Sequence, residues 1–472
     1  MSEKRISTNT ALLFSTEVAT QGLGFIVSIM VARILGVESY GLLSFAYSLG
    51  VLCIMVPSFG FQRFTVHELA RSPEQANSFF THISLLMWAF TLLIAVVPFG
   101  VALSGPSGEG RLFVIFIIYF VMAALEYVLF LCSFYRASQR ISKESMLRML
   151  LALMWCATGL AVLFAGYGLT TFVVWRLVVT LLCVAAAVLV LRSDYGIRIV
   201  SFSRQYAWDI VKRSAPLAVF SMLSSAFTFL NLVLLGMMRG DVDAGYYSAA
   251  EKIVYLVGMI AASLAWVTLP SLSRAWARSA KEFSNVCTRI MRAALIIAVP
   301  CAVMVGLLRK TWIFLLFGTG YLPSIPVLGI LALSIIPFFL SEINSTSLIA
   351  MDKQNKAVRA VLIGLIVLIV SSFILIPLWG AKGIALARTF SLCVVIWVQL
   401  RALKDGVWGK AQWVTFGRVL AAGAAMALTI MVLIKLSCTV PVALAVSFVL
   451  YLVMLVLMRE MRYGEITGIF SR

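Results

Sequence analysis

The sequence predicts an all-α polytopic membrane protein of about fourteen transmembrane helices, built as two pseudo-symmetric six-helix bundles plus two C-terminal helices. Three observations carry this expectation: a composition too apolar for a water-soluble core, apolar runs of spanning length at regular intervals, and an internal echo between the two halves. Of 472 residues, 62% are hydrophobic and 12% charged, where a soluble domain carries roughly 25% charged residues. The mean hydropathy is +1.03. Lipid absorbs that much apolar surface and a water-exposed shell does not.

A bilayer core needs about 20 apolar residues per helix. Runs that meet this lie near residues 11–32, 41–62, 80–103, 112–134, 146–166, 171–191, 215–237, 246–270, 290–308, 325–349, 358–377, 382–400, 415–435 and 440–458. The first run is too long for the apolar core of a signal peptide and no A-x-A site follows it, so it reads as a retained helix. Connections are short, and none is long enough for a folded domain outside the membrane. The expected organisation is a first bundle over 1–191, a basic and amphipathic cytoplasmic linker over 192–214, a second bundle over 215–404, and the last two helices with a cytoplasmic tail over 405–472. Pro57 and Pro337 fall inside spans, where a lost backbone hydrogen bond permits a kink.

The net charge of +19 would suggest nucleic acid in a soluble chain. Here the basic residues sort by side: about 28 of the 38 Lys and Arg fall in loops on the side of the N-terminus, which the positive-inside rule places in the cytoplasm together with the C-terminus. Topology therefore accounts for the charge, and no nucleic-acid partner is expected. The eight cysteines form no C-x-x-C pair and mostly sit in apolar runs, so neither disulfide nor metal is expected. His67 and His82 are too isolated for a zinc site.

The chain also echoes itself. Sliding LGVESYGLLSFA (Leu35 to Ala46) by 204 residues onto RGDVDAGYYSAA (Arg239 to Ala250) aligns Gly36 with Gly240, Gly41 with Gly245, Ser44 with Ser248 and Ala46 with Ala250. YRASQRISKESMLR (Tyr135 to Arg148) matches LIAMDKQNKAVR (Leu348 to Arg359) at an offset near 213, and Arg176 matches Arg388 at 212. Like-oriented repeats of six spans imply an axis along the membrane normal and a cavity between the halves.

Polar side chains inside spans mark candidate sites, because each ionised group costs about 2.5–3.5 kcal/mol at mid-membrane. Glu17, Gln21, Gly24 and Ser28 form one stripe of the first span. Ser221, Ser224, Ser225, Thr228 and Asn231 form one stripe of the seventh, and the 204 offset superposes the two. Both are expected to line the cavity, with close helix packing as the competing role for small polar residues. Lys252 shares a face of the eighth span with Tyr255, a cation flanked by an aromatic ring that suits a sugar phosphate, with snorkelling to the outer headgroups as the rival. Arg176 and Arg388 are expected as an inward, pseudo-symmetric pair, with snorkelling to the headgroups as the rival. Glu17, Glu126 and Glu342 are candidates for coupling to H+ or Na+, with a neutral acid hydrogen-bonded between helices as the competing role. The outer acids Glu109, Asp241 and Asp243 read as ordinary solvated loop residues.

ARILGVESYGLLSFAYSL (Ala32 to Leu49) resembles the R-x-L-G-x-x-x-Y-G signature of the Wzx-like polysaccharide transport branch of the multidrug/oligosaccharidyl-lipid/polysaccharide superfamily, at Arg33, Leu35, Gly36, Tyr40 and Gly41. GYYSAAEK (Gly245 to Lys252) is similar to its second-half counterpart. The resemblance implies a flippase that moves an undecaprenyl-pyrophosphate-linked oligosaccharide (O-antigen, exopolysaccharide or capsule repeat unit) across the inner cell membrane by alternating access, with polysaccharide polymerase and export proteins as partners. It also implies that the last two helices form a lipid groove. The lipid II flippase relative uses cavity arginines in helices one, two and eight, and this chain offers instead Glu17 on the inward stripe, Arg33 and Arg63 at span ends, and Lys252. A drug or cation antiporter of the same fold is the first alternative, and a lipid II flippase and a membrane polymerase or glycosyltransferase come after it. No outer loop gathers a nucleophile with a base, so no enzyme and no cofactor is expected.

Overall fold

The computed structural model describes residues 3–104, 109–403, 410–436 and 439–458. Among them lie seventeen α-helices and no strand. The chain packs as two units, Met1–Gly245 and Tyr246–Arg472. The first holds α1 (Glu3–Ser58), α2 (Phe61–Leu69), α3 (Ala76–Ile94), α4 (Val96–Ser104), α5 (Glu109–Ala137), α6 (Ile141–Phe164), α7 (Leu169–Tyr195) and α8 (Arg204–Arg239). Helix α9 (Asp241–Arg278) starts in the first unit and continues in the second, followed by α10 (Ala280–Leu307), α11 (Arg309–Phe317), α12 (Ser324–Leu333), α13 (Ile335–Ala350), α14 (Gln354–Trp379), α15 (Ala381–Leu403), α16 (Lys410–Lys435) and α17 (Val440–Leu457).

Twelve of the described helical stretches are long and apolar enough to cross a membrane. The first, Ser15–Leu69, is 55 residues long, enough for two crossings, and α8 holds a further apolar stretch over Ser225–Arg239. The protein is therefore an all-helical, multi-pass membrane protein with about fourteen crossings.

The first two spans are two helices joined at Gly36, whose non-helical φ of 80° and ψ of −178° only glycine adopts readily. Ser28 and Tyr40 exchange a hydroxyl hydrogen bond of 3.0 Å across the bend. Twelve residues of straight helix would hold them about 18 Å apart, so the bend makes the bond possible.

Proline acts differently from the expectation. Pro57 lies in the last turn of α1, and the chain turns just after it, at Phe59 and Gly60, both at positive φ. Pro337 lies in the first turn of α13, and α12 ends at Leu333, the residue whose carbonyl the proline ring obstructs. Pro98 stands in the same relation to Ile94, the last residue of α3.

The expected 192–214 surface linker is helical at both ends, as the last turn of α7 to Tyr195 and the start of α8 from Arg204. Residues 197–203 form a non-helical strap whose backbone N–H groups donate to polar side chains of α3: Arg198 to Asn77 Oδ1 at 2.9 Å, Val200 to Thr81 Oγ1 at 3.1 Å and Ser203 to His82 Nε2 at 2.9 Å. His82 Nδ1 lies 2.8 Å from the Ser78 carbonyl, which can only accept. The imidazole is therefore neutral, protonated on Nδ1, and its role is to clamp the strap. Ser203 then caps α8 by accepting from the Tyr206 N–H.

The first unit is filled by aromatic rings, among them the fully buried Phe61, Phe79, Phe130, Phe134 and Tyr135. In the second unit α16 and α17 pack on α10: Val419, Met426 and Tyr451 are inaccessible, and the Tyr451 hydroxyl donates to the Ile296 carbonyl at 3.0 Å.

The sequence echo has a geometric counterpart. Gly36 and Gly240 share one backbone conformation, φ 80° and ψ −178° against φ 84° and ψ −173°. Gln139 and Asp352 are both left-handed, at φ 58° and 57°. Each ends its helix with the same N–H to carbonyl bond one residue on, Arg140 to Tyr135 and Lys353 to Leu348, both 2.8 Å. The glycines of the echo also interlock reciprocally within the first unit. A Cβ on Gly41 would collide with the Asp241 carbonyl, and one on Gly245 with the Val37 carbonyl. Asp241 and Gly245 are Val37 and Gly41 moved by the repeat offset. We expect Gly41→Val and Gly245→Val each to lower stability by about 1–3 kcal/mol or to prevent folding, read as the melting temperature in detergent. Gly22→Ala, with nothing within 4 Å of the new methyl group, should be neutral.

Candidate functional site

One polar group of the first unit gathers on α1, α5, α6 and α7. Arg176 of α7 lies with its guanidinium carbon 4.3 Å from the ring centre of Trp155 on α6. It has no carboxylate partner among the described residues. Tyr47 of α1 is within electrostatic reach of both Arg176 and Glu126. Glu126 of α5 accepts from Gln62 Nε2 at 2.6 Å. Arg176 and Glu126 are half-buried and Tyr47 is 38% exposed. A cation, two aromatic rings and a hydrogen-bonded carboxyl can serve a sugar phosphate: the guanidinium forks onto phosphate oxygens, and ring faces take sugars.

The repeat-equivalent arginine behaves otherwise. Arg388 of α15 is paired with Glu251 of α9, and its Nη1 also donates to the Tyr247 hydroxyl at 3.2 Å. The Arg388 and Glu251 side chains are 12% and 20% exposed, so the charge is neutralised inside the unit. The expected symmetric pair of inward cations is thus asymmetric. The 204 offset explains the difference in residues, since it superposes Glu251 on Tyr47. One half supplies a carboxylate where the other supplies a phenol.

The other candidates divide. Glu17 is half-exposed and ion-paired with Arg148 of α6, while Gln21 donates to its other oxygen at 3.0 Å, so this carboxylate already has its partners. Asn231, expected on a cavity stripe, is fully buried and donates to the carbonyls of Phe227 and Thr228 in its own helix, at 3.2 Å each. It serves helix packing. Ser225 and Thr228 are half-buried beside it, and the side chains of Ser221 and Ser224 lie outside the described residues. Lys252 is half-buried and Tyr255 is 41% exposed on α9, and Arg33 is exposed three residues before the Gly36 bend. Glu342 of α13 lies deep in the second unit, keeps part of its surface and has no side-chain partner among the described residues. Asp241 is no solvated loop acid: Arg111 pairs with it at 3.3 Å, and Arg111 itself is buried against the Phe45 ring. No cluster of metal-ligating side chains occurs among the described residues.

Sequence reasoning missed Trp155, Tyr47 and Arg148 as partners of the candidates. Arg148 gave the one available signal, as a cation two residues inside the apolar limits of the fifth span.

A family model described as polysaccharide biosynthesis protein matches residues 6–276. The chain belongs to the polysaccharide biosynthesis protein family. A second model, described as lipid II flippase MurJ, matches residues 145–459. The first match covers the signature at Arg33, Leu35, Gly36, Tyr40 and Gly41. A probable flippase, AglR of Haloferax volcanii, is 23% identical over 95% of this chain and 93% of its own. The capsular polysaccharide biosynthesis protein CapF of Staphylococcus aureus is 30% identical over 40% of this chain, which spans about half (48%) of that relative. Among solved structures, lipid II flippase MurJ in an inward closed conformation aligns with TM-score 0.79 at 16% identity, over 95% of this chain and 99% of that one. An inward-facing multidrug resistance MATE transporter aligns with TM-score 0.63 at 16% identity, over 82% and 96%. At those identities the family member shares their fold, and its chemistry rests on its own residues.

Removing one partner of a buried ion pair leaves an uncompensated charge, at a cost of about 3–5 kcal/mol. Glu251→Gln should therefore lower the melting temperature sharply. The Glu251→Gln, Arg388→Gln double variant should recover most of the loss, because neither charge is then stranded.

Proposed function

We propose that the protein is a flippase that carries a polyprenyl-pyrophosphate-linked oligosaccharide from the cytoplasmic to the outer leaflet of a cell membrane, with both termini in the cytoplasm. The observation that carries this reading is the half-buried Arg176 inside a span, without a carboxylate partner among the described residues, set against Trp155 and within electrostatic reach of Tyr47. A membrane strongly disfavours an unneutralised guanidinium, so one retained inside a span supports an anionic cargo. Membership of the polysaccharide biosynthesis family and the flippases among its relatives support a saccharide on that anion. The excess of Lys and Arg in loops on the N-terminal side supports the orientation. The flippases among its relatives support a cargo that is translocated and not transformed.

The supporting residues sort by role. Arg176 meets the phosphate, and Tyr47 and Trp155 offer faces to sugars. Lys252 and Tyr255 are a second cation and ring for the cargo. Glu126, held by Gln62, and Glu342 are the carboxyls through which an H+ or Na+ gradient drives the cycle.

The test is leaflet-resolved detection of labelled undecaprenyl-linked saccharide in cells or proteoliposomes. A charge-assisted hydrogen bond is worth about 1.5–3 kcal/mol, so Arg176→Gln should slow translocation roughly 10- to 100-fold, with Arg176→Lys in between. Arg388→Gln combined with Glu251→Gln should stay near the wild-type rate. Undiminished translocation by Arg176→Gln would refute the role of Arg176, and normal translocation in a deletion strain that instead loses drug resistance would favour the antiporter. Glu126→Gln and Glu342→Gln should each be tested against imposed H+ and Na+ gradients. An unchanged response in both would remove the coupling role.

A further inference from the structure

A group of polar side chains lies buried in the second unit, where α13 packs against α10 and α15. Gln399 of α15 is wholly buried, and its Nε2 donates to Ser345 Oγ at 2.9 Å and to Ser341 Oγ at 3.3 Å. Its Oε1 has no hydrogen-bond partner among the described residues. Asn344 of α13 is also wholly buried, and neither its Oδ1 nor its Nδ2 has a partner among the described residues. Asn344 stands three residues after Ser341 and is its neighbour on the helix surface. Three residues further on, Ser347 Oγ lies 3.2 Å from the Cys287 thiol of α10, and both side chains are enclosed.

A stranded amide inside a membrane protein is expensive, because neither lipid nor an apolar side chain replaces the hydrogen bonds it gives up. Here two carbonyl oxygens and an amide nitrogen are stranded together. Turning either amide end for end exchanges which atom is stranded and leaves the need for both kinds of partner. A metal cation would take the oxygens and face the Asn344 amide hydrogens. Water donates as well as accepts, so it satisfies all three groups.

The same stretch carries Glu342, the one carboxyl of α13, with Ser345 three residues after it. Polar groups thus follow one another from Glu342 through Ser345 and Gln399 to Asn344 and Ser347, about 7–8 Å along the helix axis at 1.5 Å per residue. They lead toward the basic end of the unit, the side proposed as cytoplasmic. The charged residues of the helices packed on α13 are Lys281, Glu282, Arg289 and Arg292 on α10, Lys356 and Arg359 on α14, and Lys382, Arg388 and Arg401 on α15, and α12 carries none. All but Lys382 and Arg388 belong to that basic half, and Arg388 is paired with Glu251. We infer that Asn344, Gln399 and the serines beside them hold a short file of internal water that carries a proton between Glu342 and the basic end of the second unit. The O–H bond of the Glu342 carboxyl breaks as one forms on the first water, and the last water gives up a proton to the aqueous side. Hydroxyls and waters relay the proton, and the two amides are positioning residues that move none. This rests on the coupling role given to Glu342 in the flippase reading and names H+ as its ion.

The probe is the infrared carboxylic C=O band of Glu342, assigned by its loss in Glu342→Gln, in the full-length protein in vesicles of phosphatidylglycerol and phosphatidylethanolamine. On transfer to D2O the band shifts as the proton exchanges. Asn344→Leu and Gln399→Leu should each slow that shift at least tenfold, and Asn344→Ser, which keeps a donor and an acceptor, should exchange at the wild-type rate. Asn344→Leu replaces a stranded amide by an apolar group of similar size, so its melting temperature should not fall, which separates slow exchange from misfolding. Unchanged exchange in both leucine variants would overturn the relay, as would the absence of a Glu342 carboxylic band at every pH at which the protein stays folded. Arrest of exchange in the wild type when Na+ replaces choline would also overturn it, because the cluster would then hold Na+. If exchange behaves as expected but no saccharide is translocated, the flippase reading fails and the relay stands. If translocation follows an H+ gradient while exchange ignores both leucine variants, only this inference fails.

Discussion

A guanidinium in a bilayer must find a counter-charge or water, because hydrocarbon offers neither. The two repeat-equivalent arginines of this protein meet that constraint in different ways. Arg388 is satisfied within the fold by Glu251 and Tyr247. Arg176 is given a tryptophan face and a tyrosine, which stabilise a cation without discharging it. The first solution is structural, locking α9 to α15. The second leaves a positive charge to be used, and the saccharide-phosphate reading of the chain follows from it.

This asymmetry lies in the side chains, and the scaffold itself is conservative. Gly36 and Gly240 bend the chain through the same backbone angles, Gln139 and Asp352 end their helices with the same left-handed residue, and Gly41 and Gly245 interlock through carbonyl contacts that tolerate no side chain. All of these are backbone demands, and they hold both halves to one geometry. The side chains above them are free to differ, as Tyr47 and Glu251 do.

The same division explains what could be read in the sequence. Apolar length and glycine spacing made the all-helical membrane fold and its repeat legible, because lipid thickness and positive φ constrain residue type directly. Arg176 was legible as a cation inside a span, but its partner Trp155 was not, since a tryptophan in an apolar run carries no mark of what lies across the helix interface. Glu251 was visible beside Lys252, but its pairing with Arg388 depends on α9 and α15 packing 137 residues apart in sequence. Asn231 misled because an amide on a polar stripe looks the same whether it faces water or bonds to its own helix. His82 looked isolated because its partner is the backbone of a strap 121 residues away.

The most direct test is an affinity comparison by native mass spectrometry of the purified protein, titrated with a polyprenyl-pyrophosphate-linked saccharide. The account predicts that Arg176→Gln weakens binding at least tenfold, while the Glu251→Gln, Arg388→Gln double variant binds as the wild type does. Equal binding by Arg176→Gln, or loss of binding only in the double variant, would contradict it.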